Sequence, residues 1–256
     1  LAKPLGPYLT PACWLLAAAA LGGLFWFDTV LYLHIRDFSL HTHFPELVTK
    51  PRPMRDMPFW TPAFDFLRTL GKWPMLALAG VLLAALRPGG CRWALVLAVS
   101  LGSAAGAAEL VWRTVSRVRP SMTAPPGSHV FLTPFSGFGA RRGEEPVGPS
   151  FPSSEAALST AAAGVLAAAV PTLAPLWYAL AAGCALMRVE KGDHFPSDVW
   201  AGAMLGLAVA QLCVAAARRL WRDPAFGGFG AASVSGGAGA GTAPGSPTAA
   251  APAPPR

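Results

Sequence analysis

Arg188, His194 and Asp198 stand in the run Arg-Val-Glu-Lys-Gly-Asp-His-Phe-Pro-Ser-Asp, a dense polar stretch between two long apolar ones. Ionisable groups at the edge of a membrane-length segment are costly unless they are paired or line a wet cavity, so the run is a candidate site. Arg188 offers a planar fork of donors suited to phosphate, and His194 offers a nitrogen nucleophile. Asp198 lies four residues beyond His194, just after Pro196 and Ser197, which can open a helix. On the first turn of that helix its carboxylate is expected to take one imidazole N–H and leave the other nitrogen free to attack.

Two further polar clusters flank apolar runs. Arg113-Thr-Val-Ser-Arg117-Val-Arg119-Pro120 follows one, and Ser150-Phe-Pro152-Ser153-Ser154-Glu155 precedes another. A helix beginning at Ser153 would add backbone N–H groups and a favourable dipole to the arginine donors around an anion. His34, His41 and His43 invite a metal reading, but no carboxylate or Cys partner lies at ligand spacing. We read their segment as a plain interfacial loop without a metal.

The elements that position these clusters follow from composition. Of 256 residues, 53% are hydrophobic and 13% charged, about half the charge of a soluble domain. The net charge of +7 could suit nucleic acid, yet the basic residues lie beside membrane-length segments. Anionic headgroups or phosphate substrates are therefore the expected partners, and nucleic acid is not. We expect an all-α, polytopic membrane protein, a bundle of six transmembrane helices with a juxtamembrane active site. The helices are read at about Cys13 to His34, Trp73 to Leu86, Trp93 to Val111, Ala156 to Val170, Leu173 to Met187 and Val199 to Ala216.

The first run is long, aromatic at its far end and without a clear cleavage site, which favours a membrane helix over a signal peptide. Asp28 within it should face another helix rather than lipid. Phe59 to Leu70, with Trp60, Phe64 and Leu67 at helical spacing, suits a helix lying on the membrane surface. Gly102 and Gly106 form a small-xxx-small pair that would allow close helix contact. Cys13, Cys91, Cys184 and Cys213 lack metal-type spacing and read as buried free thiols. The membrane domain covers residues 1–222, and the Gly/Ala/Ser/Pro-rich residues 223–256 are expected to form a disordered tail. The chain opens on Leu1 rather than Met, so its true N-terminus is expected upstream.

With the helices alternating in direction, the connections after the third and the fifth emerge on one face, which gathers the three clusters. Lys3, Arg87, Arg92, Arg218, Arg219 and Arg222 lie on the opposite face. If the arginines of the clusters bind substrate and are discounted, the positive-inside rule makes that opposite face cytoplasmic and the clustered face extracytoplasmic.

Together the three clusters resemble the signature of the type 2 phosphatidic acid phosphatase superfamily, in which Lys-x6-Arg-Pro, Pro-Ser-Gly-His and Arg-x5-His-x3-Asp share one site. Arg188, His194 and Asp198 match the third motif in full; Arg119-Pro120 ends the first, and Pro152-Ser153 begins the second. The resemblance covers residues 93–217. It implies a phosphatase that uses no metal or other cofactor: Arg119, Arg188, Ser153 and Ser154 cradle the phosphate, His194 forms a phosphohistidine, and Asp198 orients His194. Two positions depart from the pattern. The first-motif Lys falls at Trp112, and the adjacent Arg113 replaces it only if the helix end unwinds or rotates, the alternative being a pair with Glu109 one turn back. The second-motif His, which protonates the leaving oxygen, is Glu155 here, and a carboxylic acid does that job only when burial and the bound phosphate keep it protonated. His129 substitutes for it if its loop folds over the site.

A Glu in the second motif, with Phe-Leu-Thr-Pro-Phe upstream and His-Phe-x-Ser-Asp in the third, resembles the bacterial branch of lipid A phosphatases. The expected substrate is a lipid phosphate monoester or diphosphate: a lipid A type glycolipid, undecaprenyl diphosphate or a glycerophospholipid phosphate, met at the bacterial inner membrane. A lipid phosphotransferase using the same site, and a catalytically weakened protein that binds lipid phosphate, stay open. A small transporter fits the hydropathy but leaves the three clusters unexplained.

Overall fold

The computed structural model describes residues 10–43, 61–123, 127–132, 141–142, 145–146 and 149–221. Among the described residues seven α-helices follow one another: α1 (Pro11–His43), α2 (Thr61–Thr69), α3 (Trp73–Leu86), α4 (Gly90–Val115), α5 (Ser154–Ala169), α6 (Ala174–Glu190) and α7 (Pro196–Leu220). Between α4 and α5 lie a 3-10 turn at Pro120–Met122 and a two-residue antiparallel ladder of β1 (Arg141–Arg142) with β2 (Glu145–Pro146). Apart from two isolated bridges, the regular structure among the described residues is otherwise helical.

All six apolar runs form helices. The segments Pro11–Ile35, Gly90–Val115, Pro171–Glu190 and Pro196–Leu220 are long and apolar enough to cross a membrane, whereas α3 and α5 are shorter apolar helices. This is a multi-pass membrane protein, and large apolar side chains such as Leu15, Trp26, Leu86, Leu110 and Leu212 are exposed on its outside, as a surface facing lipid requires. A short helix, α2, forms within the stretch expected to be helical, and its Arg68 bonds both Asp65 and Glu190 at 3.3 Å. The expected tail from residue 223 lies outside the described residues.

Three local expectations are corrected. α1 continues nine residues past His34, so the segment carrying the three histidines is helix and not loop. A Cβ added at Gly102 or Gly106 would meet nothing within 4 Å, so that pair makes no close helix contact. Close contact falls instead to Gly202 and Gly206 of α7, where an added Cβ would run into the carbonyls of Ser153 and Ala157 on α5. Of the four free cysteines only Cys184 is buried; Cys13 and Cys213 are half-buried and Cys91 is exposed.

The core explains why α5 can be so rich in alanine. Ala161, Ala162 and Val165 of α5 are buried among Leu76 and Leu83 of α3, Trp93, Leu97 and Leu101 of α4, and Ala210 and Val214 of α7. Small residues on α5 and α7 let these two helices approach most extensively. That contact fixes the start of α5 beside the start of α7, where the polar clusters sit.

Candidate active site

The first cluster is delivered by a backbone reversal. α4 is regular through Val115, and Ser116 then adopts the left-handed region (φ 46°) with its hydroxyl donating to the Arg113 carbonyl at 3.1 Å. The chain runs on extended, held by Val118 N–H to Val130 O (2.8 Å), Leu132 N–H to Ser116 O (2.9 Å) and Ser150 N–H to Arg117 O (2.6 Å). This reversal sends Arg117 inward. Arg113 stays behind on the exposed side of α4, bonded to Glu109 at 2.8 Å, so the expected phosphate ligand at Arg113 is corrected: the helix end neither unwinds nor rotates.

Arg117 is fully buried and is the centre of a dense hub. Its guanidinium bonds Asp198 (2.7 Å), Ser197 Oγ (2.9 Å) and Asp28 (3.0 Å), and lies 3.8 Å from the centre of the Phe195 ring. Asp28 also accepts from the Ser197 N–H at 2.8 Å and from the Ser197 hydroxyl. As expected, Asp28 faces another helix: it reaches from α1 to the start of α7.

Asp198 does not touch the imidazole, which corrects its expected role. It sits in the first turn of α7, where its carboxylate turns back to accept the Phe195 N–H at 2.7 Å, together with Arg117 and the Ser150 hydroxyl. Capping the helix aims it away from His194. The imidazole is oriented by Ser150 instead, whose carbonyl pairs with His194 Nδ1 at 2.7 Å. Because Ser150 bonds Asp198 through its hydroxyl and His194 through its carbonyl, Asp198 acts on His194 at one remove.

With Nδ1 engaged, His194 Nε2 faces the carboxylate of Glu155 at 3.7 Å. Glu155 is ion-paired to Arg188, and Ser154 Oγ donates to it at 3.2 Å. Asp193 gathers the remaining cations, with Arg119 and Arg188 each at 3.4 Å and Lys191 at 3.1 Å. Nε of Arg119 and Nε of Arg188 are buried without a hydrogen-bond partner. Gly192 takes a positive φ of 79° that lets the chain turn between α6 and His194, and its carbonyl accepts the Ser121 N–H at 3.2 Å, tying this turn to the first cluster. Ser153 caps α5, its Oγ accepting the Ala156 N–H at 3.4 Å while its own N–H bonds Asp198 O at 2.9 Å.

Burial lowers the His194 pKa to about 4, against Asp198 and the Ser150 carbonyl, which favour the charged ring; Arg119 and Arg188 lower it further. The imidazole is therefore neutral at pH 7 and carries its lone pair on Nε2, the nucleophilic form. His129 is held elsewhere: its ring lies 5.1 Å from the Phe195 ring and 3.3 Å from Arg117, and burial followed by Arg117 lowers its pKa. Its loop does fold inward, but it delivers His129 to the hub and not to Glu155.

The structure thus brings together His194, Glu155, Arg188, Arg119, Ser153 and Ser154, with Asp198 behind them, and leaves Arg113 out. Arg117, Ser150, Asp28 and Asp193 are the participants that the sequence reading did not assign. Among the described residues no three His, Cys, Asp or Glu side chains converge as a metal site.

The fold is similar to that of LpxE from Aquifex aeolicus, with a TM-score of 0.53 and 18% identity over 74% of this chain and 95% of that one. A PAP2 type phosphatidylglycerolphosphate phosphatase from Bacillus subtilis aligns with a TM-score of 0.45 and 19% identity over 78% of this chain and 96% of that one. At such identities the likeness to LpxE is one of fold. No curated protein matches by sequence. The PAP2 superfamily pattern, however, matches residues 93–222, half of the chain and all of the residues around His194; the chain belongs to the PAP2 superfamily.

Proposed function

We propose that the protein is an integral membrane lipid phosphatase that hydrolyses a lipid phosphate monoester or diphosphate through a phosphohistidine at His194. The observation that carries this reading is the imidazole itself, neutral, tied at Nδ1 to the Ser150 carbonyl, with Nε2 3.7 Å from Glu155, the carboxylate that is ion-paired to Arg188. The carboxylates of Glu155 and Asp193 occupy donors of Arg188 and Arg119, and a phosphate dianion would take their place.

A phosphoryl group binding beside His194 displaces Glu155 from Arg188 and places negative charge beside it, which favours the protonated acid. His194 Nε2 then forms a bond to phosphorus as the P–O bond to the lipid breaks, and Glu155 gives its proton to the leaving oxygen. In the second step Glu155 takes a proton from water, the water oxygen bonds phosphorus, and the P–N bond breaks to restore His194. The arginines hold the equatorial oxygens throughout. Arg87, Arg92, Arg218 and Arg219 lie at the opposite ends of α3, α4 and α7. Once the arginines engaged at the site are discounted, these favour a cytoplasmic placement for that end and an extracytoplasmic site.

The test is phosphate release by the detergent-purified protein from a lipid A type glycolipid, undecaprenyl diphosphate and phosphatidic acid, in the presence of chelator. Release from at least one lipid is expected, lost by at least 1,000-fold, on the order of an essential nucleophile's contribution, in His194→Ala. Release unaffected by that substitution would overturn the assignment of the nucleophile, and no release from any lipid would overturn the phosphatase reading.

A further inference from the structure

We propose that Asp28, on α1 and outside the matched family region, is a positioning residue for His194, acting through Arg117, Asp198 and Ser150; this rests on the phosphatase reading above. The chain of contacts is continuous. Asp28 Oδ2 accepts from Arg117 at 3.0 Å, Arg117 donates to Asp198 Oδ1 at 2.7 Å, and Asp198 Oδ2 accepts the Ser150 hydroxyl. The Ser150 carbonyl then holds His194 Nδ1 at 2.7 Å. Asp28, Arg117, Asp198, Ser150 and Ser197 are all 0% exposed, so water does not compete for any of these bonds.

The geometry gives Asp28 two grips on the site. Through Oδ1 it accepts the Ser197 backbone N–H at 2.8 Å, which fixes the first turn of α7 and hence the backbone that carries Asp198. Through Oδ2 it shares Arg117 with Asp198, which decides where the guanidinium sits between α1 and α7. The charge count has a consequence as well. Two carboxylates surround one guanidinium, so the hub carries an excess negative charge behind an imidazole that becomes positive as Nε2 bonds phosphorus. Low local dielectric makes that charge effective. Asp28 therefore contributes to the reacting state and touches neither the phosphate pocket nor the leaving group.

Asp28→Asn keeps the shape and one acceptor but removes the charge. The expected result in the purified protein is a fall in kcat and in the rate of phosphoenzyme formation of about 100-fold, the scale of a small misplacement at a reacting centre, with KM and the unfolding temperature close to wild type. Ser197→Ala, which removes the hydroxyl lying between Arg117 and Asp28, is the second variant and decides the matter if Asp28→Asn does not fold; a smaller fall in kcat at unchanged KM is expected. Wild-type kcat in the folded variants would overturn the proposal, as would a fall that appears only together with a raised KM and a lowered unfolding temperature, the mark of a clip between α1 and α7 and nothing more. Wild-type protein that releases no phosphate would instead overturn the phosphatase reading on which the proposal rests.

Discussion

Arg117 and Asp198 lie within a few residues of Arg119 and Asp193 in the sequence, yet they belong to two groups of charges that are built in opposite ways. The hub of Asp28, Arg117 and Asp198 is fully buried, its carboxylates outnumber its cation, and its ion pairs are 2.7 and 3.0 Å. The outer cluster of Arg119, Arg188, Lys191, Asp193 and Glu155 is partly exposed; its cations outnumber its carboxylates, and the contacts of Asp193 are looser, 3.1 to 3.4 Å. A buried network of paired charges fixes geometry, because an alternative arrangement leaves a charge unpaired. A partly wet cluster with surplus positive charge exchanges its partners, and an anion from outside can replace the carboxylates. On the phosphatase reading, support and binding are thus divided between two networks that meet at His194.

The largest expected effect comes from breaking the hub. Arg117→Met leaves Asp28 and Asp198 buried against each other without a counter-charge, a loss of about 3–5 kcal/mol by comparison with other broken buried pairs. Thermal unfolding of the detergent-solubilised protein should show a large drop. A wild-type melt would mean that the hub is not a fixed support, and the contrast between the two networks would fail.

This division was only half legible in the sequence. The spans were readable because bilayer thickness forces long apolar runs, and Arg188, His194, Glu155 and Arg119 were readable because their chemistry is local to short polar stretches. The hub was not, because Asp28 and Arg117 are 89 positions apart and a single sequence does not show which distant charges meet. Two signals pointed toward it. A carboxylate inside an apolar span needs a buried partner, and a second arginine stands two residues before Arg119. Asp198 differs for another reason: the helix begins at Pro196 as expected, but the first-turn carboxylate turns back to cap its own helix at the Phe195 N–H, a choice of partner that sequence position does not decide. Arg113 shows the converse, since regular helix through Val115 keeps it with Glu109.

His194 lies where the two networks meet, and its protonation sharpens the contrast. Its pKa is about 4 in the folded protein against an ordinary value of 6.5, so the unfolded chain binds the proton first as pH falls. Stability linked to this residue is therefore complete above pH 6.5 and is lost as pH falls toward 4, a change on the order of 3 kcal/mol. Unfolding free energies measured at pH 7 and pH 4 should show this loss in wild type beyond that of His194→Gln, which lacks the titrating ring. Equal losses in the two proteins would mean that the imidazole is not held neutral by burial.

The smallest effect belongs to the outer cluster. Asp193 competes with any incoming anion for Arg119, Arg188 and Lys191. Asp193→Asn frees those cations without emptying the space, so inorganic phosphate should inhibit more strongly, with the inhibition constant about fivefold lower for a gain of about 1 kcal/mol. Arg113→Ala serves as the comparison, because its pair with Glu109 is close to half exposed on each side and lies apart from His194. That substitution should leave phosphate inhibition unchanged and move stability by less than about 0.5 kcal/mol. If Arg113→Ala weakened phosphate inhibition while Asp193→Asn left it untouched, the donors for the anion would be on α4 and the outer cluster would be a structural clasp. The expected order of effects requires the reverse, since only carboxylates already seated on the phosphate donors can hold an anion off by charge.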